Sequence, residues 1–170
     1  FYQRALYGEW TRARLDDRER VRISLVEFQL AHGMREQAIA QLLLLAADLP
    51  RDAARQIEAA RLFLAAGDPD RALQHYRAAL ETQPDNATAL AGAGDAASEI
   101  GAFSAAAGYY ARVPDDVEGI DAKRETTRLV IANDPLRPRL SGAERRRRLW
   151  GGHTQAVLLI EACRVRLVGK

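Results

Sequence analysis

The sequence predicts an all-α chain built as a stack of short helix-turn-helix units, and three observations carry that prediction. Alanine and leucine supply most of an apolar content of 48%, while aromatics reach only 6%. That mix suits closely packed helices and suits sheets poorly, since alanine is depleted from strands. Glycine recurs at Gly33, Gly67 and Gly101, a constant step of 34 residues. The same step joins Ala38, Ala72 and Ala106, then Leu42, Tyr76 and Tyr110, then Leu45, Ala79 and Val113, and Pro50 with Pro84. Five registers holding one spacing without a gap define an internal repeat. At 170 residues the chain has room for one domain with a core of its own.

Taken in order, residues 1–18 are expected to end a preceding helix and form an N-terminal cap, because Phe1-Tyr2-Gln3-Arg4-Ala5-Leu6 parallels His75-Tyr76-Arg77-Ala78-Ala79-Leu80. Repeat units follow at 19–52, 53–86 and 87–120. In the middle unit Gly67 ends the first helix, where a left-handed residue satisfies the last carbonyls without a Cβ penalty. Asp68 caps the second helix, and Pro69 sits in its first turn, where a missing N–H is harmless. Ala72 and Ala79 set the distance between the paired helices, and Tyr76 fills the gap to the neighbouring unit. Each pair leaves one apolar face uncovered, and the next pair covers it. The third unit places Gly92, Gly94 and Gly108 inside helices at about 1 kcal/mol each, so it is expected to be the softest.

Residues 121–170 read as C-terminal capping helices with a basic segment. One helix is predicted over Val117–Ala132, then a stiff link from Asn133 to Pro138. Ser141-Gly142-Ala143-Glu144 forms a capping box before the run to Trp150. Gly151-Gly152 is read as a break, after which Thr154–Val168, apolar on most sides, packs as a closing helix.

The repeat resembles the tetratricopeptide repeat family. The middle unit supplies that family's pattern with Ala60, Phe63, Gly67, Ala72, Tyr76, Ala79 and Pro84. The first supplies Val26, Gln29, Gly33, Ala38, Leu42, Leu45 and Pro50, a looser match. The third supplies Gly94, Ala97, Gly101, Ala106, Tyr110 and Val113, then departs, with an early Pro114 and Glu118 in the proline register. The resemblance covers residues 19–113 and implies a right-handed solenoid with a concave inner face. It places along that face Arg20, Ile23, Glu27 and Leu30, then Ala54, Ile57, Arg61 and Leu64, then Thr88, Ala91, Asp95 and Ser98. A carboxylate-clamp subclass would need Lys and Asn where this chain has Ile23, Glu27, Ile57 and Arg61, and is disfavoured. The competing reading is that some of these side chains only pack against neighbouring helices.

The net charge of +2 gives no polyelectrolyte character, yet Asp134–Lys170 carries nine basic and three acidic side chains. Lys123 and Lys170 are the only lysines, a bias that fits a GC-rich bacterial coding sequence. Arg137, Arg139, Arg145, Arg146, Arg147 and Arg148 make a basic patch for an anionic membrane, an acidic partner or RNA. No aromatic interleaving supports base stacking, which disfavours nucleic acid. A solvated face, or pairing with the acidic repeats, is the alternative. Cys163 is alone, which excludes an intramolecular disulfide and a cysteine-built zinc site. His32, His75 and His153 share no metal or nucleophile spacing. No cofactor motif, phosphate loop or catalytic constellation is present in the sequence, and no run has the length of a membrane span. The chain starts at Phe1 rather than methionine, which suggests an upstream segment and leaves cytoplasmic, periplasmic and membrane-associated placement open. The expectation is a non-enzymatic interaction module or scaffold for a protein partner, including an assembly subunit of a larger bacterial complex. Binding of anionic membrane or nucleic acid through Arg137–Arg148 is the alternative, and steep salt dependence separates the two.

Overall fold

In the computed structural model, residues 15–47, 49 and 52–168 are described. The expected helix end at Phe1–Leu6 and the turn at Pro50 lie outside them. Among the described residues the chain is helical without a strand: α1 Leu15–Ala31, α2 Arg35–Ala47, α3 Ala53–Ala65, α4 Pro69–Thr82, α5 Ala87–Glu99, α6 Phe103–Tyr110, α7 Ile120–Asn133 and α8 Gly142–Val168. They fall into two compact bodies, one ending at Val117 and one starting at Glu118.

In the first body the 34-residue period is a period of backbone geometry. Gly33, Gly67 and Gly101 have φ of 72°, 82° and 76°, the left-handed region that only glycine enters freely. After each, the next amide reaches back to the carbonyl of Gln29, Phe63 or Ala97, at 2.8, 2.9 and 2.8 Å. This is the paired-bond helix terminus that a C′ glycine permits. The starts are also specified: the side chains of Asp52, Asp68 and Asn86 accept from the amides of Arg55, Arg71 and Ala89. Substituting such a cap costs about 1 kcal/mol.

The helices pair α1 with α2, α3 with α4 and α5 with α6, and each pair packs on the next. First helices also touch across units, α1 with α3 and α3 with α5, forming an inner row. Packing follows the registers read from the sequence. Ala38, Ala72 and Ala106 are fully buried, as are Leu42, Phe63 and Ala79, with Tyr76, Tyr110, Leu45 and Val113 nearly so.

The glycines of α5 have a use that propensity alone does not reveal. A Cβ on Gly92 would stand 2.2 Å from Cζ of Tyr76, and one on Gly94 2.3 Å from Cε1 of Tyr110. The two tyrosines, one period apart, press their rings onto one helix from its two neighbours, α4 and α6. Gly108 meets nothing within 4 Å. Helix α6 ends after 8 residues, where α4 runs for 14, consistent with the early Pro114.

In the second body, Gly119 at φ 77° precedes α7, and the Glu144 amide donates to Ser141 Oγ at 3.1 Å to start α8. Two expectations are corrected here. Gly151-Gly152 does not break the chain: α8 is one helix of 27 residues. A Cβ at Gly151 would lie 2.8 Å from Oδ1 of Asn133, and one at Gly152 3.4 Å from its Cβ. The pair therefore lets the end of α7 approach α8. Nor is the apolar run inside Thr154–Val168 packed away, since Val157, Leu158, Leu159 and Ile160 are all exposed.

Candidate functional site

The residues expected to line a groove lie on the first helices of the units. Arg20, Ile23, Glu27 and Leu30 are on α1, Ile57, Arg61 and Leu64 on α3, and Asp95 on α5. Between α1 and α3 lies an open cleft of ≈ 570 Å³, lined by Glu19, Arg20, Ile23, Ser24, Arg55 and Glu58. Arg20 and Ile23 are thus brought into one concavity. Ile57, Leu30 and Leu64 are half-buried on the same row rather than in the cleft wall.

Two ion pairs step across from α1 to α3. Arg55 pairs with Glu19 at the cleft, and Arg61 Nη2 lies 3.4 Å from Glu27 Oε1. Both members of the second pair are more than half exposed, so its net worth is small, about 0–1 kcal/mol. Arg20 pairs along its own helix with Asp17 at 2.7 Å. The guanidiniums of this face therefore sit beside carboxylates, which suits a ligand with mixed polar and aliphatic character better than a lone carboxylate or phosphate.

Further along the row, the Tyr110 hydroxyl donates to Asp95 Oδ1 at 2.8 Å and stands 3.4 Å from Ser98 Oγ. Burial, offset by the Ser98 bond and reinforced by Asp95, pushes the Tyr110 hydroxyl up to about 12. Tyr76 is raised in the same sense by burial and by Asp95, with Arg61 opposing. Both phenols stay neutral at ordinary pH. Sequence reasoning placed Asp95 on the face but missed its tyrosine, as it missed Glu19, Ser24, Arg55 and Glu58. A visible signal existed for Glu19 and Arg55, opposite charges about one repeat apart on adjacent first helices.

The histidines are dispersed. His75 bonds Gln56 Oε1 through Nδ1 at 2.8 Å and stacks on Phe63 with ring centroids 5.2 Å apart, and burial lowers its pKa. His32 Nδ1 lies 2.7 Å from the Phe28 carbonyl oxygen, and His153 meets Trp150 edge-on. Among the described residues no group of His, Cys, Asp or Glu has the geometry of a metal site.

The basic patch is spread round α8 and the link before it. Arg148 is held by Glu144 and by the Asp134 carbonyl, each at 3.3 Å, and Arg147 also pairs with Glu144. Arg137, Arg139, Arg145 and Arg146 are exposed.

A family model for the tetratricopeptide repeat matches residues 57–119, from inside α3 to the turn before α7. No curated protein matches the chain.

Proposed function

We infer that this chain, which carries tetratricopeptide repeats, works as a non-enzymatic interaction module whose inner row of first helices receives a protein partner. Repeats of this family generally mediate protein–protein interaction or scaffolding, and the family is typically non-enzymatic. The observation that carries the reading for this chain is the α1–α3 cleft, with Arg20, Ile23 and Arg55 in its walls and the Glu27–Arg61 pair beside it. Half-buried Ile57, Leu30 and Leu64 supply aliphatic contact, and Asp95 extends the face onto α5. A partner segment with apolar side chains among polar ones fits that surface. Within this reading the chain serves as an accessory or assembly subunit of a larger bacterial complex.

The test is a crosslinking pull-down from source cells comparing the wild type with Ile57→Glu/Arg61→Glu, each checked for helicity by circular dichroism. Selective loss of one defined protein from the folded variant is the expected result. An unchanged partner set would move the contact away from the inner row.

A further inference from the structure

The most cationic stretch of the chain and a set of exposed large apolar side chains lie on the same uninterrupted helix, α8. Trp150 is 71% exposed, Ile160 67% and Leu149 55%, with Val157 also out of the core. At 3.6 residues per turn, Leu149, Trp150, Val157 and Ile160 fall on one side, about 16 Å long at 1.5 Å per residue, while the exposed Leu158 and Leu159 extend the apolar surface round the axis. Exposed Arg146 lies one turn before this stripe and exposed Arg164 one turn after it. Of the acids on α8, Glu144 is taken by Arg147 and Arg148, and Glu161 sits at the edge of the stripe. Arg145 and Arg146 make no ion pair among the described residues.

We propose that α8 is an interfacial helix that lies on an anionic membrane surface, seating Trp150 and the aliphatic stripe at the headgroup boundary and the arginines among the headgroups. Charge decides between the candidate occupants. Asp134–Lys170 carries nine basic against three acidic side chains, so a second copy would bring like charges together. Nucleic acid would answer the arginines and leave the aliphatic stripe in water. An anionic bilayer answers both, since an indole favours the interface and guanidiniums meet lipid phosphate. The helix lies on the surface rather than crossing it: among the described residues no helix is long and apolar enough to span a membrane. This helix belongs to the second body and the inner row to the first, and different variants test the two readings.

The test uses the full chain with Trp10→Phe, which leaves Trp150 as the one tryptophan, and vesicles of phosphatidylcholine with or without phosphatidylglycerol. Binding to the phosphatidylglycerol vesicles with a blue shift of Trp150 emission is expected, with little binding to neutral ones. Arg145→Ser/Arg146→Ser should weaken binding about 30-fold, the two guanidinium contacts counting about 1 kcal/mol each. Val157→Ser/Ile160→Ser should abolish the shift, while Ile57→Glu/Arg61→Glu should change neither. Circular dichroism of each variant confirms that the helices persist. No binding to anionic vesicles at 0.1 M salt overturns the proposal. So does binding that Val157→Ser/Ile160→Ser leaves intact, which would be plain electrostatic adsorption. A dimer in sedimentation that this same variant dissociates, without vesicle binding, would assign the stripe to a second copy instead.

Discussion

Helices α4 and α8 are both rich in apolar side chains, and they put them to opposite uses. In α4, Ala72, Leu73, Tyr76 and Ala79 are buried, at positions that repeat with the helical period. In α8 the run from Val157 to Ile160 circles the axis, and every member of it stays exposed. Apolar content does not bury a helix; apolar residues in phase with a neighbouring surface do. The repeat supplies that neighbour at a fixed distance along the chain.

The largest expected effect tests the contrast directly. Phe63→Ala, at a fully buried site, should cost about 3–5 kcal/mol in urea unfolding. Trp150→Ala, a larger truncation, should change stability by no more than about 0.5 kcal/mol. Equal costs would place Trp150 in a core and remove the distinction drawn between the two helices.

A second, intermediate effect sharpens the comparison within the repeat body. Gly92→Ala drives a methyl into the Tyr76 ring and should destabilise by about 1–3 kcal/mol, the usual cost of overpacking. Gly108→Ala meets open space and should stabilise by about 0.5–1 kcal/mol through helix propensity. Combining Gly92→Ala with Tyr76→Leu should recover part of the loss, because touching residues are not additive. Thermal midpoints of the four proteins decide it.

The smallest effect appears only in alkali. Tyr110 has a folded pKa of about 12, above the usual phenol value of about 10. Its contribution is therefore whole below pH 10 and is lost as pH rises from about 10 through about 12, where the unfolded chain gives up the proton first. Stability measured across that window should fall less steeply in Tyr110→Phe than in the wild type. Identical slopes would mean that the phenol is not held buried beside Asp95 in solution.

What was legible in the sequence was whatever obeys the period. Gly67 announces a left-handed turn because the chain needs one there, and Ala72 announces a tight helix pair because nothing larger fits. The glycines of α5 were read only as a propensity cost, since the rings they receive come from residues 16 positions away in either direction, on other helices. Gly151 and Gly152 were misread for the same reason: they answer to Asn133, and a local rule for turns has no access to that contact. On the inner row, Arg20 and Ile23 were placed by register, whereas the Asp95–Tyr110 bond depends on how α6 leans on α5.

The seating of Tyr76 against Gly92 limits how such an array can grow. Thirty-four residues before Gly92, the same register of the middle unit holds Glu58. A tandem duplication of residues 53–86 would bring the first copy's tyrosine ring against that glutamate in the second. It would also set Arg61 of one copy toward Arg61 of the next, where Glu27 now stands. The units share a fold but not an interface, so their order is written into the junctions, and lengthening the stack by copying its best-formed member would require at least two compensating substitutions.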